Sequence, residues 1–83
     1  MDALQQTILS YVLSEYVQDE NEHIEVSTPL VSSGLVDSFS MVSLKRFLER
    51  SYDIAIPDRA ATTEAFDSVE RIAALVRRIN PDV

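Results

Sequence analysis

Apolar residues recur at spacings of three and four in separate blocks of this chain, and that rhythm limits it to a small helical fold. In residues 2–17, Leu4, Ile8, Tyr11 and Val12 fall on one stripe, with Leu9, Leu13 and Val17 in a neighbouring row. The spacing predicts a first helix with a broad buried face and Asp2 as its N-cap. A second helix is predicted from Asp37-Ser38 to about Tyr52, where Phe39, Val42, Leu44, Phe47, Leu48 and Tyr52 form the apolar side. Ser40, Ser43, Lys45, Arg46, Glu49 and Arg50 are left outside. A final helix starts after Asp67 or Ser68, turns Val69, Ile72, Ala73, Leu75, Val76 and Ile79 inward, and stops at Asn80-Pro81.

The connections are informative in their own right. Gln18 to Glu25 is polar and acidic. Val26 to Asp37 holds Pro29, Ser32, Ser33 and Gly34, the chain's one glycine, with Leu30, Leu35 and Val36 placed to pin the loop to the core. An inter-helix loop of roughly 20 residues is long for so small a domain and points to function. Asp53-Ile54-Ala55-Ile56-Pro57 reads as an extended connector whose two isoleucines plug the core. Thr62 or Thr63 opens one further short helix through Phe66. The expected architecture is all-α: a small four-helix bundle, three main helices plus one short one, in a single domain over residues 1–83 with its core at about 4–79.

With 83 residues and no cysteine, the chain has no disulfide, thiolate zinc site or cysteine nucleophile, and packing alone must hold it together. His23 is the one histidine and reads as a solvated loop residue. Glu20, Glu22 and Glu25 lack the spacing of a calcium loop and read as a solvated run. No apolar stretch approaches the roughly 18 residues of a membrane span. The N-terminus lacks the early positive charge of a signal peptide, so a cytoplasmic setting is expected.

The formal net charge is −7, unevenly spread. Residues 1–37 hold seven acids and no Lys or Arg, whereas residues 38–52 set Lys45, Arg46 and Arg50 against Glu49. Such a surface disfavours nucleic acid and anionic membrane and favours basic protein partners. One reading of the acidic first half is an unmodified helical adaptor that binds a basic partner through residues 15–25.

The stretch Gly34-Leu35-Val36-Asp37-Ser38-Phe39 carries the chemistry. A serine at the first position of a helix is exposed, and the helix N-terminus offers unpaired N–H groups and partial positive charge to a phosphate ester. On capping physics alone Asp37-Ser38 remains an ordinary helix start. The stretch resembles, however, the Asp-Ser-Leu-type signature of acyl carrier proteins. Leu48 to Asp58 resembles that family's helix-two ending and its Asp-Ile-x-Ile-Pro connector, and Thr63 to Val69 resembles its short third helix leading into the fourth. The resemblance spans roughly residues 4 to 79.

It implies an acyl-carrier-like fold and a carrier rather than an enzyme. Ser38 would bear 4′-phosphopantetheine, delivered from coenzyme A by a phosphopantetheinyl transferase, with Asp37 supporting the modification. The terminal thiol would hold acyl or aminoacyl groups as thioesters for an activating ligase or synthase and for downstream transferases. Phe39, Met41, Val42, Lys45 and Arg46 would form the partner-binding surface of a monomer. The sequence departs from the fatty-acid carriers it resembles, for Ser40 and Ser43 stand where acids are common and Lys45 and Arg46 make the recognition helix basic. A dedicated biosynthetic pathway is expected. The motif is similar also to D-alanyl and stand-alone peptidyl carriers, so an amino-acid cargo is included.

Overall fold

A computed structural model describes residues 2–17 and 23–83. Asp19, Glu20 and Glu22, on which part of the acidic-loop reading rests, lie outside the described residues. Three helices form: α1 (Ala3–Tyr16), α2 (Ser38–Tyr52) and α3 (Val69–Ile79), and there is no strand among the described residues. Each helix starts on a side chain that takes up an orphan N–H. The Asp2 carboxylate accepts from Gln5 N and the Gln5 side chain answers to Asp2 N, a capping box. Asp37 rather than Ser38 caps α2, accepting from Ser40 N at 2.8 Å, and Ser68 rather than Asp67 caps α3, accepting from Arg71 N. α2 ends with Asp53 in the left-handed region (φ 53°).

The expected fourth helix does not form. Thr62 to Asp67 makes one turn, closed by Phe66 N donating to Thr62 O and Asp67 N to Glu64 O, with the Thr62 hydroxyl accepting from Ala65 N. The turn is short because its purpose is met by one side chain: Phe66 is fully buried, and the Asp67–Ser68 pair that follows already starts α3.

α1 and α3 form the close helix pair. They run antiparallel, since Asp2 at the start of α1 pairs with Arg77 in the last turn of α3 at 2.7 Å. α2 runs antiparallel to α1 as well. Tyr11 stacks on Phe47 with ring centroids 4.0 Å apart, while Tyr16 at the end of α1 donates its hydroxyl to the Ser40 carbonyl at the start of α2. The core draws Leu4, Ile8 and Val12 from α1, Met41, Leu44 and Leu48 from α2, and Val69, Ile72, Ala73, Leu75 and Val76 from α3. Non-helical segments supply Ile24, Leu30, Val36, Ile56 and Phe66.

Several residues lie elsewhere than their hydropathy suggests. Leu13 is exposed and Leu9 and Val17 are half-buried, so the buried face of α1 is narrower than the two apolar rows imply. Ile24 is buried although it sits in an otherwise polar stretch. Of the two connector isoleucines Ile56 is buried and Ile54 half-buried. Most consequentially, Phe39 and Val42 do not face the core: they are 87% and 50% exposed. Met41, Leu44 and Leu48, at offsets of three and seven, fix the rotation of α2 about its axis, and Phe39 then falls on the opposite side.

Candidate functional site

The site begins in the loop before α2, which is fastened at three levels. Its backbone closes on itself, with Val36 N donating to Leu30 O and Gly34 N to Val31 O, while Leu30 and Val36 are both buried. Gly34 turns the chain at φ 84°, a left-handed conformation that suits a residue without Cβ. The loop is then bracketed from α3. The Asp67 carboxylate accepts from Val31 N at 2.9 Å, Ser32 N at 2.8 Å and the Ser32 hydroxyl, and the Asp67 carbonyl accepts from Leu30 N. Bonding to Ser32, joined by the Val31 and Leu30 N–H groups, holds the Asp67 carboxyl below the usual carboxylate range.

Asp37 and Ser38 emerge from this anchored loop, and both are exposed. The Asp37 carboxyl is held low chiefly by the Ser40 N–H, so it is ionised at neutral pH. On the far side of the helix start, Tyr16 ties the Ser40 carbonyl to α1 at 3.0 Å. Burial pushes the Tyr16 phenol well above its ordinary value, so it remains a donor. The first turn of α2 is thus held from α1 as well as from the loop, and Ser38 Oγ is presented at a fixed place.

Ser38 opens onto a cleft of about 600 Å³ between α2 and the segment that follows the connector. Met41, Val42, Lys45 and Glu49 line one side, and Asp58, Ala61, Thr62 and Thr63 the other. Lys45 spans the cleft to Asp58 at 3.3 Å and stands 4.0 Å from Glu49. Glu49 in turn accepts the Ile56 N–H at 2.9 Å, which fixes the connector against α2.

Of the predicted site residues, Asp37, Ser38, Phe39, Val42 and Arg46 lie together on the outward side of α2. Met41 does not join the expected docking surface. It is 9% exposed and packs in the core row with Leu44 and Leu48, reaching only the cleft wall. Lys45 is largely spent on Asp58 and Glu49, and its side chain keeps 23% exposure. His23 is exposed and pairs with Glu25 at 3.1 Å. Sequence reading missed the supporting residues. Asp67 had been considered only as a cap, Tyr16 only as a core-edge residue, and Asp58 not at all. Their partners are 36, 24 and 13 positions away, so no local pattern marks them.

A phosphopantetheine arm fits these residues. The ester oxygen is exposed, the Ser38 and Phe39 N–H groups at the helix start are not used within the helix, and an extended cleft runs from the hydroxyl. No group of three or more metal-ligating side chains gathers among the described residues, and no helix among them is long and apolar enough to cross a membrane.

No family model matches the chain. It is 24% identical, over 76 residues, to a probable acyl carrier protein, PigG, of Serratia sp. (strain ATCC 39006), covering 92% of this chain and 87% of that protein. This is a weak likeness along nearly the whole length. It suggests the acyl carrier protein family and supports a carrier role, and the all-helical architecture is consistent with it.

Proposed function

We propose that this chain is a single-domain carrier protein that holds acyl or aminoacyl groups as thioesters on a 4′-phosphopantetheine arm esterified to Ser38. The observation that carries the reading is the placement of the Ser38 hydroxyl, exposed at the first residue of α2, at the mouth of a cleft, on a backbone anchored by Asp67 and Tyr16. The full-length likeness to a probable acyl carrier protein supports it.

In the modification, the Ser38 oxygen forms the new P–O bond, the pyrophosphate bond of coenzyme A breaks, its nucleotide half leaves, and the serine proton passes to the transferase. Asp37 fixes the helix start beside that oxygen and adds an ionised carboxylate for the transferase complex to use. When bound, the arm supplies a thiol for cargo. The cleft wall of Met41, Val42 and Ala61, crossed by the Lys45–Asp58 pair, gives an extended arm a partly apolar bed with polar groups along it.

The partners are a phosphopantetheinyl transferase, a ligase or synthase that loads the thiol, and transferases that unload it. Ser40, Ser43 and Arg46 on the recognition helix favour a dedicated pathway in the cytoplasm over routine fatty-acid synthesis. Incubation with coenzyme A and several broad-specificity transferases tests the reading: wild type gains the mass of the arm and Ser38→Ala does not. Absence of the adduct from wild type with every transferase would sink it.

A further inference from the structure

Helical offsets place Phe39, Val42, Ser43, Arg46 and Arg50 on one outward stripe of α2, opposite the core row of Met41, Leu44 and Leu48. The stripe is apolar at the end next to Ser38, through Phe39 and Val42, and cationic along the rest. Lys45 is neutralised within the fold by Glu49 and Asp58, so the charge of this face rests on Arg46 and Arg50. Both are exposed, and neither is in an ion pair among the described residues. An aromatic side chain 87% exposed with cations on its flank is the form of an interface anchor, since buried aromatics and arginines dominate contact energies.

The charge of the rest of the chain decides the chemistry of the partner. Seven acids and no Lys or Arg fall in residues 1–37, so the molecule is strongly dipolar. A basic enzyme surface would be steered to the acidic half, whereas an acidic surface is repelled there and drawn to α2, beside Ser38. We propose that the enzymes acting at Ser38 dock on this stripe through an apolar socket for Phe39 and Val42, rimmed by carboxylates that meet Arg46 and Arg50. The inference rests on the carrier reading.

The test uses a panel of phosphopantetheinyl transferases of known structure, chosen so that the surface around the active-site mouth ranges from acidic to basic. KM and kcat for arm transfer from coenzyme A are measured on the full chain for wild type, Phe39→Ala, Arg46→Glu with Arg50→Glu, and Arg46→Lys with Arg50→Lys. With acid-faced transferases the glutamate pair raises KM about tenfold or more at unchanged kcat, the lysine pair stays near wild type, and salt raises the wild-type KM. With basic-faced transferases the glutamate pair lowers KM, and Phe39→Ala raises KM with both kinds. Thermal melts of all variants match wild type, because every substituted side chain is exposed. If Ser38 is modified but KM ignores the charge reversal, the docking proposal falls and the carrier reading stands. If no transferase modifies Ser38, both fall. A dimer in sedimentation that Phe39→Ala abolishes would overturn the proposal by assigning the face to a second copy of the chain.

Discussion

Replacing Tyr16 by Phe removes one oxygen atom and, on this structure, loosens the helix that presents Ser38. The hydroxyl donates to the Ser40 carbonyl at 3.0 Å across a half-buried contact. Helical geometry gives that carbonyl a second donor, the Leu44 N–H four residues on, so the substitution does not leave it unpaired. The cost is therefore that of a lost hydrogen bond, about 1 kcal/mol, rather than the larger penalty of an orphaned acceptor. For a domain of this size it corresponds to a fall in Tm of roughly 4–8 °C. The ring itself, 5.9 Å from Tyr11 in an edge-on arrangement, is retained in Phe. A pH series separates this account from generic destabilisation. The folded phenol titrates above its ordinary value because burial disfavours the charged form. Stability from Tyr16 is therefore fully present below the unfolded value of about 10 and is lost as pH rises through the folded one. Calorimetry of wild type and Tyr16→Phe should give a constant gap from neutrality to about pH 9 that narrows in stronger alkali. Equal melting temperatures at neutral pH, or a gap that does not respond to alkali, would refute the latch.

Other consequences can be checked by standard unfolding measurements. Asp2, Asp37 and Asp67 all titrate below the unfolded carboxylate, through Arg77, Ser40 and Ser32 respectively, so their stabilisation is present above about pH 4 and is lost as pH falls through their folded values; Asp67→Asn should flatten part of that acid limb in a urea-unfolding series. Phe66→Ala should cost about 3–5 kcal/mol, a large share of the roughly 4–12 kcal/mol expected for 83 residues, and leave a protein that unfolds at low urea. The two left-handed positions should respond in opposite directions. Gly34→Ala destabilises by about 1 kcal/mol despite open space around its Cα, because the cost is in φ. Asp53→Gly stabilises by about 0.5 kcal/mol, because it relieves φ 53° and removes an acid from a helix C-terminus.

The helices were legible because their cause is local. Leu4, Ile8 and Val12, or Ile72, Leu75 and Val76, announce a buried stripe by spacing alone, and Asp2 and Asn80-Pro81 mark ends that any helix of this kind would need. The two capping pairs were legible only as pairs, since Asp37 and Ser38, or Asp67 and Ser68, are equally able to accept an N–H. Which one does depends on what else engages its neighbour, and Asp67 is engaged by Ser32. Hydropathy misled at Phe39 and Val42 for a general reason: an apolar side chain that anchors a partner and one that fills the core have the same composition signal. Only the register set by Met41, Leu44 and Leu48 separates them. Lys45 reads as a surface cation until Asp58, 13 residues on, is brought across the cleft. Ser38 itself stood out through its loop and its neighbours in sequence, whereas the residues that hold it in place could be found only in three dimensions.

The account turns on one covalent bond at one oxygen. Protein isolated from its native host, digested and fragmented in a mass spectrometer, should carry the phosphopantetheine arm on the peptide containing Ser38, with fragment ions locating it at that residue rather than at Ser40 or Ser43. An arm at either of those serines, or a native protein with every serine unmodified, would contradict it.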